Sequence, residues 1–134
     1  MKWITRQRIQ VNRTATCWLI TRFIDEEAEF LFVPADEVAP LQQEQDATGF
    51  DAPNATYPHK DAKGLCSFAS LVRERLAHDQ VLVEMARIVQ AADFNDQLGD
   101  RGFPLVTSND HETAERASFV YDALYASINS TMVG

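Results

Sequence analysis

Apolar and polar residues recur along this chain with periods that lay out its elements before any other property is considered. Lys2 to Arg6 reads as a short strand. Asn12 is then expected to cap a helix over Arg13 to Ile24, with Cys17, Ile20 and Ile24 on one face. Asp25-Glu26-Glu27 makes a turn. Ala28 to Val33 alternates into a second strand that Pro34 ends, because proline has no amide hydrogen for a ladder. Asp36 opens a short helix to about Gln43. From Asp46 to Gly64 turn residues take over (Gly49, Pro53, Asn54, Pro58, Gly64), with room for short extended pieces around Phe50 and Thr56-Tyr57. Ser67 is expected to cap a helix with Phe68, Leu71, Val72 and Leu76 inward. Asp79 caps another, with Leu82, Met85, Val89 and Ala92 on one face and Val81 and Ile88 on a second. Apolar on two sides, that helix should be central. Asn95 to Ser108 is a connection, and Asn109-x-x-Glu112 resembles a capping box opening a last helix with Ala117, Tyr121, Leu124 and Ile128 inward.

The strand, helix, strand opening predicts an α/β fold, with α+β as the alternative: a small sheet covered by helices and a helical C-terminal half. Composition agrees with one domain over residues 1–134, since 46% of residues are hydrophobic and 24% charged. A chain of this size buries roughly two thirds of its unfolded surface, so any metal would serve function rather than folding. No apolar run approaches the roughly 18 residues that span a bilayer, and charge interrupts Met1 to Arg6 before a signal-peptide core can form. Cys17 and Cys66 make neither a disulfide framework nor a CxxC pair, so reduced thiols and a cytoplasmic location are expected.

A net charge of -8 disfavours nucleic acid as a partner. The charge is uneven: residues 1–24 hold Lys2, Arg6, Arg8, Arg13 and Arg22 and no acidic residue. This basic start either pairs with the acidic remainder, the reading favoured here, or forms a binding patch.

No phosphate loop, HExxH, GxSxG or GxGxxG is present, so the residues alone identify no enzyme class. Scattered groups suit a metal or an anion. His59, between Pro58 and a capped helix, reads either as a fixed ligand or acid/base group, or as a surface imidazole. Glu29 and Asp93 are carboxylates among apolar neighbours. With His59 they would form the mixed nitrogen and oxygen set that takes zinc, iron or manganese; otherwise Glu29 pairs with an N-terminal arginine and Asp93 caps a turn. Cys66, before a helix start, is either a thiolate or a small core residue. Arg13 at the first helix's start would hold an anion or a salt bridge. His78 and His111 carry no assigned role. Spacing puts Asp122 on the polar stripe of the last helix.

Several blocks resemble one family. They are Lys2-Trp3-Ile4-Thr5-Arg6, Asn12-Arg13-x-Ala15-x-x-Trp18-Leu19-Ile20-x-Arg22-Phe23-Ile24-Asp25 and Ala28 through Val38, then Phe50-Asp51-Ala52-Pro53, His59, Cys66-Ser67-Phe68, Ile88-Val89-x-x-Ala92-Asp93 and Tyr121 through Tyr125. Together they are similar to the chromate-resistance proteins of the ChrB type, over nearly the whole chain. The resemblance implies a bacterial cytosolic domain associated with chromate resistance, in some members the C-terminal part of a longer regulator. It supports Arg13, Glu29, His59 and Asp93 as site residues, adds Cys66 and Asp122 as weaker candidates, and passes no role to Cys17. Two functions follow. One is a metal-binding protein of chromate and oxidative stress resistance, extending to a small metalloenzyme, and the other a non-catalytic domain that senses an oxyanion such as chromate. The expected partner is a small oxyanion or a metal ion.

Overall fold

The computed structural model describes residues 1–9, 11–93 and 109–133. Its order is β1 (Lys2–Arg6), α1 (Val11–Leu19) continued by a π-helical turn (Ile20–Ile24), β2 (Glu29–Val33), a 3-10 turn (Ala35–Glu37) into α2 (Val38–Glu44), β3 (Thr48–Phe50), α3 (Ser67–Arg75), α4 (Gln80–Asp93) and α5 (Asp110–Val133). The α/β expectation holds, with the helices concentrated in the C-terminal half. The three strands are parallel in the order β2-β1-β3. Central β1 buries Trp3, Ile4 and Thr5 completely, as a strand flanked on both edges and covered on both faces must.

One face of the sheet packs on α1, α3, α4 and α5 through Trp3, Phe50, Phe68, Leu71, Leu82 and Met85. The other closes over a smaller cluster of Ile4, Val38 and Ala52. Each large apolar side chain taken fully out of water contributes about 2 kcal/mol, so the first face carries most of the stability. Tyr57 forms a bridge with Phe50, which brings the turn-rich segment back to the end of β3. Gln42 Oε1 accepts from the amides of Gly49 and Thr56 and ties that segment to α2. A Cβ at residue 49 would displace Gln42 Oε1 from these two amides.

Three expectations are corrected. Asn12 lies inside α1 rather than capping it, and its Oδ1 accepts instead from Phe68 N in the first turn of α3 (3.3 Å). Cys66, not Ser67, is the N-cap residue of α3, because the Ser67 hydroxyl is drawn into the end of the sheet. Ile88 stands exposed, because nothing among the described residues packs over its side of α4. Asp79 and Asn109 cap as read: Asp79 Oδ1 takes the amides of Val81 and Leu82, and Asn109 Oδ1 that of Glu112. The connection expected over Asn95 to Ser108 lies outside the described residues. No helix among the described residues is long and apolar enough to cross a membrane.

Candidate functional site at the end of the parallel sheet

Parallel pairing aligns Thr5 with Phe50, so the next residues, Arg6 and Asp51, leave the same edge of the sheet side by side. This is the C-terminal edge, where open parallel sheets characteristically hold their ligands. Asp51 has a positive φ of 51°, a conformation that aspartate tolerates better than most residues. The turn directs its carboxylate inward, and the side chain is only 1% exposed.

Among the described residues, three basic side chains gather on Asp51. The Arg13 Nη1 donates to Oδ2 at 2.8 Å, and the Arg6 Nη2 lies 3.3 Å from the same oxygen. Arg6 Nε donates to the Asp51 carbonyl at 2.6 Å, and His59 Nδ1 is 2.7 Å from Oδ1. The Asp51 amide donates to both Tyr57 O and Ser67 Oγ. Arg13 reaches Asp51 because α1 starts beside the end of β1, and its Nη2 is fixed by the Arg8 carbonyl. His59 arrives because the Phe50–Tyr57 bridge returns the chain there.

Burial alone would raise the Asp51 carboxyl. The His59 hydrogen bond and the charges of Arg13 and Arg6 outweigh it and hold the group below the usual carboxylate range. An ionised Asp51 can only accept, so His59 Nδ1 carries the hydrogen of this bond. With neutral imidazole, the described residues set two guanidiniums against one carboxylate, a local balance of +1 in a chain of net charge -8. Donors also outnumber acceptors. Arg13 Nε and Asn12 Nδ2, on adjacent residues, are buried with no hydrogen-bond acceptor among the described residues.

The other candidates lie elsewhere. Glu29 is exposed at the start of β2, level with Lys2. Four strand steps of roughly 3.3 Å separate that level from Arg6, so Glu29 and His59 stand at opposite edges of the sheet. Asp93 ends α4, and its side chain lies outside the described residues. Among the described residues no three His, Cys, Asp or Glu side chains group around a common point; the set of His59, Glu29 and Asp93 for zinc, iron or manganese includes a side chain outside them. Cys66 is fully buried in the core, the packed reading of that residue.

Asp122 is 41% exposed, as its spacing predicted, but it is not idle. It accepts from Trp18 Nε1 at 2.8 Å and takes a two-pronged contact from Arg22 (3.0 and 2.9 Å). The Arg22 hydrogen bond, joined by that of Trp18, holds its carboxyl below the usual range.

A family model described as "ChrB, C-terminal domain" matches residues 3–128. The chain belongs to the ChrB C-terminal domain family. It is similar to Protein ChrB of Cupriavidus metallidurans, 31% identical over 139 residues that take in 96% of this chain and 41% of the relative. The chain thus spans less than half the length of that curated relative. No solved structure matches.

The blocks that carried the ChrB resemblance, far apart in sequence, meet in two places. Arg6, Asn12-Arg13, Asp51, His59 and Ser67 converge at the sheet edge. Trp18, Arg22 and Asp122 converge on α5. Sequence reasoning found Arg13 and His59 but missed Asp51, the residue that joins them. The signal available was its place in Phe50-Asp51-Ala52-Pro53, directly after an extended piece.

Proposed function

We propose that this domain serves chromate resistance by binding a small oxyanion of the chromate class at the C-terminal edge of the sheet. One observation carries the reading: among the described residues the cluster is cationic and donor-rich, and Arg13 Nε and Asn12 Nδ2 are buried without an acceptor. A tetrahedral dianion supplies acceptor oxygens in several directions and suits a guanidinium fork. Asp51 then acts as the positioning group: it pre-pays the ordering of Arg6, Arg13 and His59, so less entropy is lost on binding.

The test is calorimetric titration of the untagged chain with chromate and with sulfate. Arg6→Gln, whose side chain is partly exposed, and Arg13→Ala should each weaken binding about tenfold or more, with folding checked by circular dichroism. Unchanged affinity in both variants, or no binding by the parent, defeats the proposal. A second reading, a divalent transition ion on His59, draws on one feature: a carboxylate holds Nδ1, as it does in many metal-bound imidazoles. Elemental analysis of the parent and of His59→Ala tests that reading separately.

A further inference from the structure

The strand β2 forms one border of the sheet, with β1 on one side and no strand on the other among the described residues. Its backbone shows which groups face outward. Glu29 N donates to Met1 O, and Val33 O accepts from Gln7 N. In a parallel ladder the residues turned toward a neighbour alternate, so Glu29, Leu31 and Val33 are spent on β1. The amides and carbonyls of Phe30 and Phe32 therefore point to the open border.

Among the described residues that border lacks several of the devices that usually blunt an edge. Phe30-Leu31-Phe32-Val33 is apolar throughout, only half-buried, and without lysine, proline or a bulge inside the strand. Phe30 and Phe32 stack at 6.2 Å, and His111 stands edge-on to Phe32 at 4.8 Å. Between the strand and the start of α5 runs a groove of about 490 Å³, bounded by Phe30 to Val33 and by Asn109, Asp110 and His111.

The chain leading into and out of the strand is acidic, although β1 sets Lys2 and Arg6 level with its two ends. Glu26 and Glu27 precede it, Glu29 is its first residue and Asp36 and Glu37 follow it, all exposed, and residues 23–59 contain no lysine or arginine. A second copy of this chain, paired antiparallel, would bring Glu26 and Glu27 toward the partner's Asp36 and Glu37, a like-charge juxtaposition that opposes self-association. An apolar segment with basic ends meets none of that repulsion.

We infer that β2 is a docking edge that adds, as a further strand, an extended segment of another polypeptide with an apolar centre and basic residues at both ends. The backbone groups of Phe30 and Phe32 hold the segment, the groove takes its apolar side chains, and the flanking carboxylates select its charge. This surface is separate from the Asp51 cluster, and its test uses no oxyanion.

The probe is a fluorescein-labelled peptide with a Val-Thr-Val-Thr-Val centre and Lys-Arg at each end, set against the same centre ending in Glu-Glu. Anisotropy should show the basic peptide binding about tenfold or more tighter than the acidic one. The triple variant Glu27→Lys, Glu29→Lys, Glu37→Lys changes only exposed side chains, and it should invert that preference. On binding, amide exchange should slow at Phe30 and Phe32, while Leu31 and Val33, already bonded to β1, stay as they are. The inference is overturned if the basic peptide does not bind, if both peptides bind alike, or if the variant keeps the parent's preference. It is also overturned if Phe30 and Phe32 are already protected in the peptide-free monomer, or if sedimentation finds a dimer joined through this edge.

Discussion

Asp51 and Asp122 invite comparison because each is a carboxylate held by a guanidinium and by a ring nitrogen, yet they do different work. Asp51 is 1% exposed and gathers Arg6, Arg13 and His59 from three separate segments. Asp122 is 41% exposed and joins Arg22 and Trp18, both from one helical stretch, to α5. Burial makes the first an obligatory organiser. Removing it strands two guanidiniums, one of them largely buried, with no counter-charge among the described residues. Water can replace much of what Asp122 supplies.

The widest gap should appear in stability. Asp51→Ala should cost about 3–5 kcal/mol in urea denaturation followed by circular dichroism, the range for breaking a buried charge pair. Asp122→Ala should cost about 1 kcal/mol, chiefly through the unpaired Trp18 N–H. Equal losses would erase the distinction.

Acid provides the next test. The Asp51 carboxyl titrates below its unfolded value, so its stabilisation is complete above about pH 4 and is lost as the pH falls through the native value. Asp51→Asn keeps the shape and the tolerance of positive φ but removes that charge. The parent should therefore lose more stability than Asp51→Asn between about pH 5 and pH 2. A parallel decline of the two curves would show that Asp51 does not govern the acid limb.

The smallest effect is salt. In double-mutant cycles, coupling between Arg22 and Asp122, about 0.5 kcal/mol in dilute buffer, should fall toward zero at about 1 M NaCl. Coupling between Arg13 and Asp51 should persist, because little solvent reaches that pair.

Local signals made much of this architecture legible. The Asp79 and Asn109 caps, the end of β2 at Pro34 and the inward residues of α5 depend on near neighbours in sequence, and they stand as read. The basic N-terminus pairs with the acidic remainder as expected, Arg6 and Arg13 with Asp51 and Arg22 with Asp122. The misreadings share one cause. Asn12 and Ser67 are good cap residues by type, but their polar atoms serve partners 56 and 16 residues away. Glu29 lies among apolar neighbours in sequence, yet it begins an edge strand and faces water.

The sequence by itself determined where strands and helices form, which faces turn inward and that basic and acidic halves would pair, because periodicity, capping and charge act over a few residues or through composition. It also singled out Arg13 and His59 by chemical type. Only the tertiary structure decided that Asp51 is their common partner. An aspartate between Phe50 and Pro53 has the appearance of a turn residue until β3 pairs with β1, and that pairing alone sets Asp51 beside Arg6 and takes it out of water. Parallel pairing joins segments more than 40 residues apart, and no short-range pattern records such register.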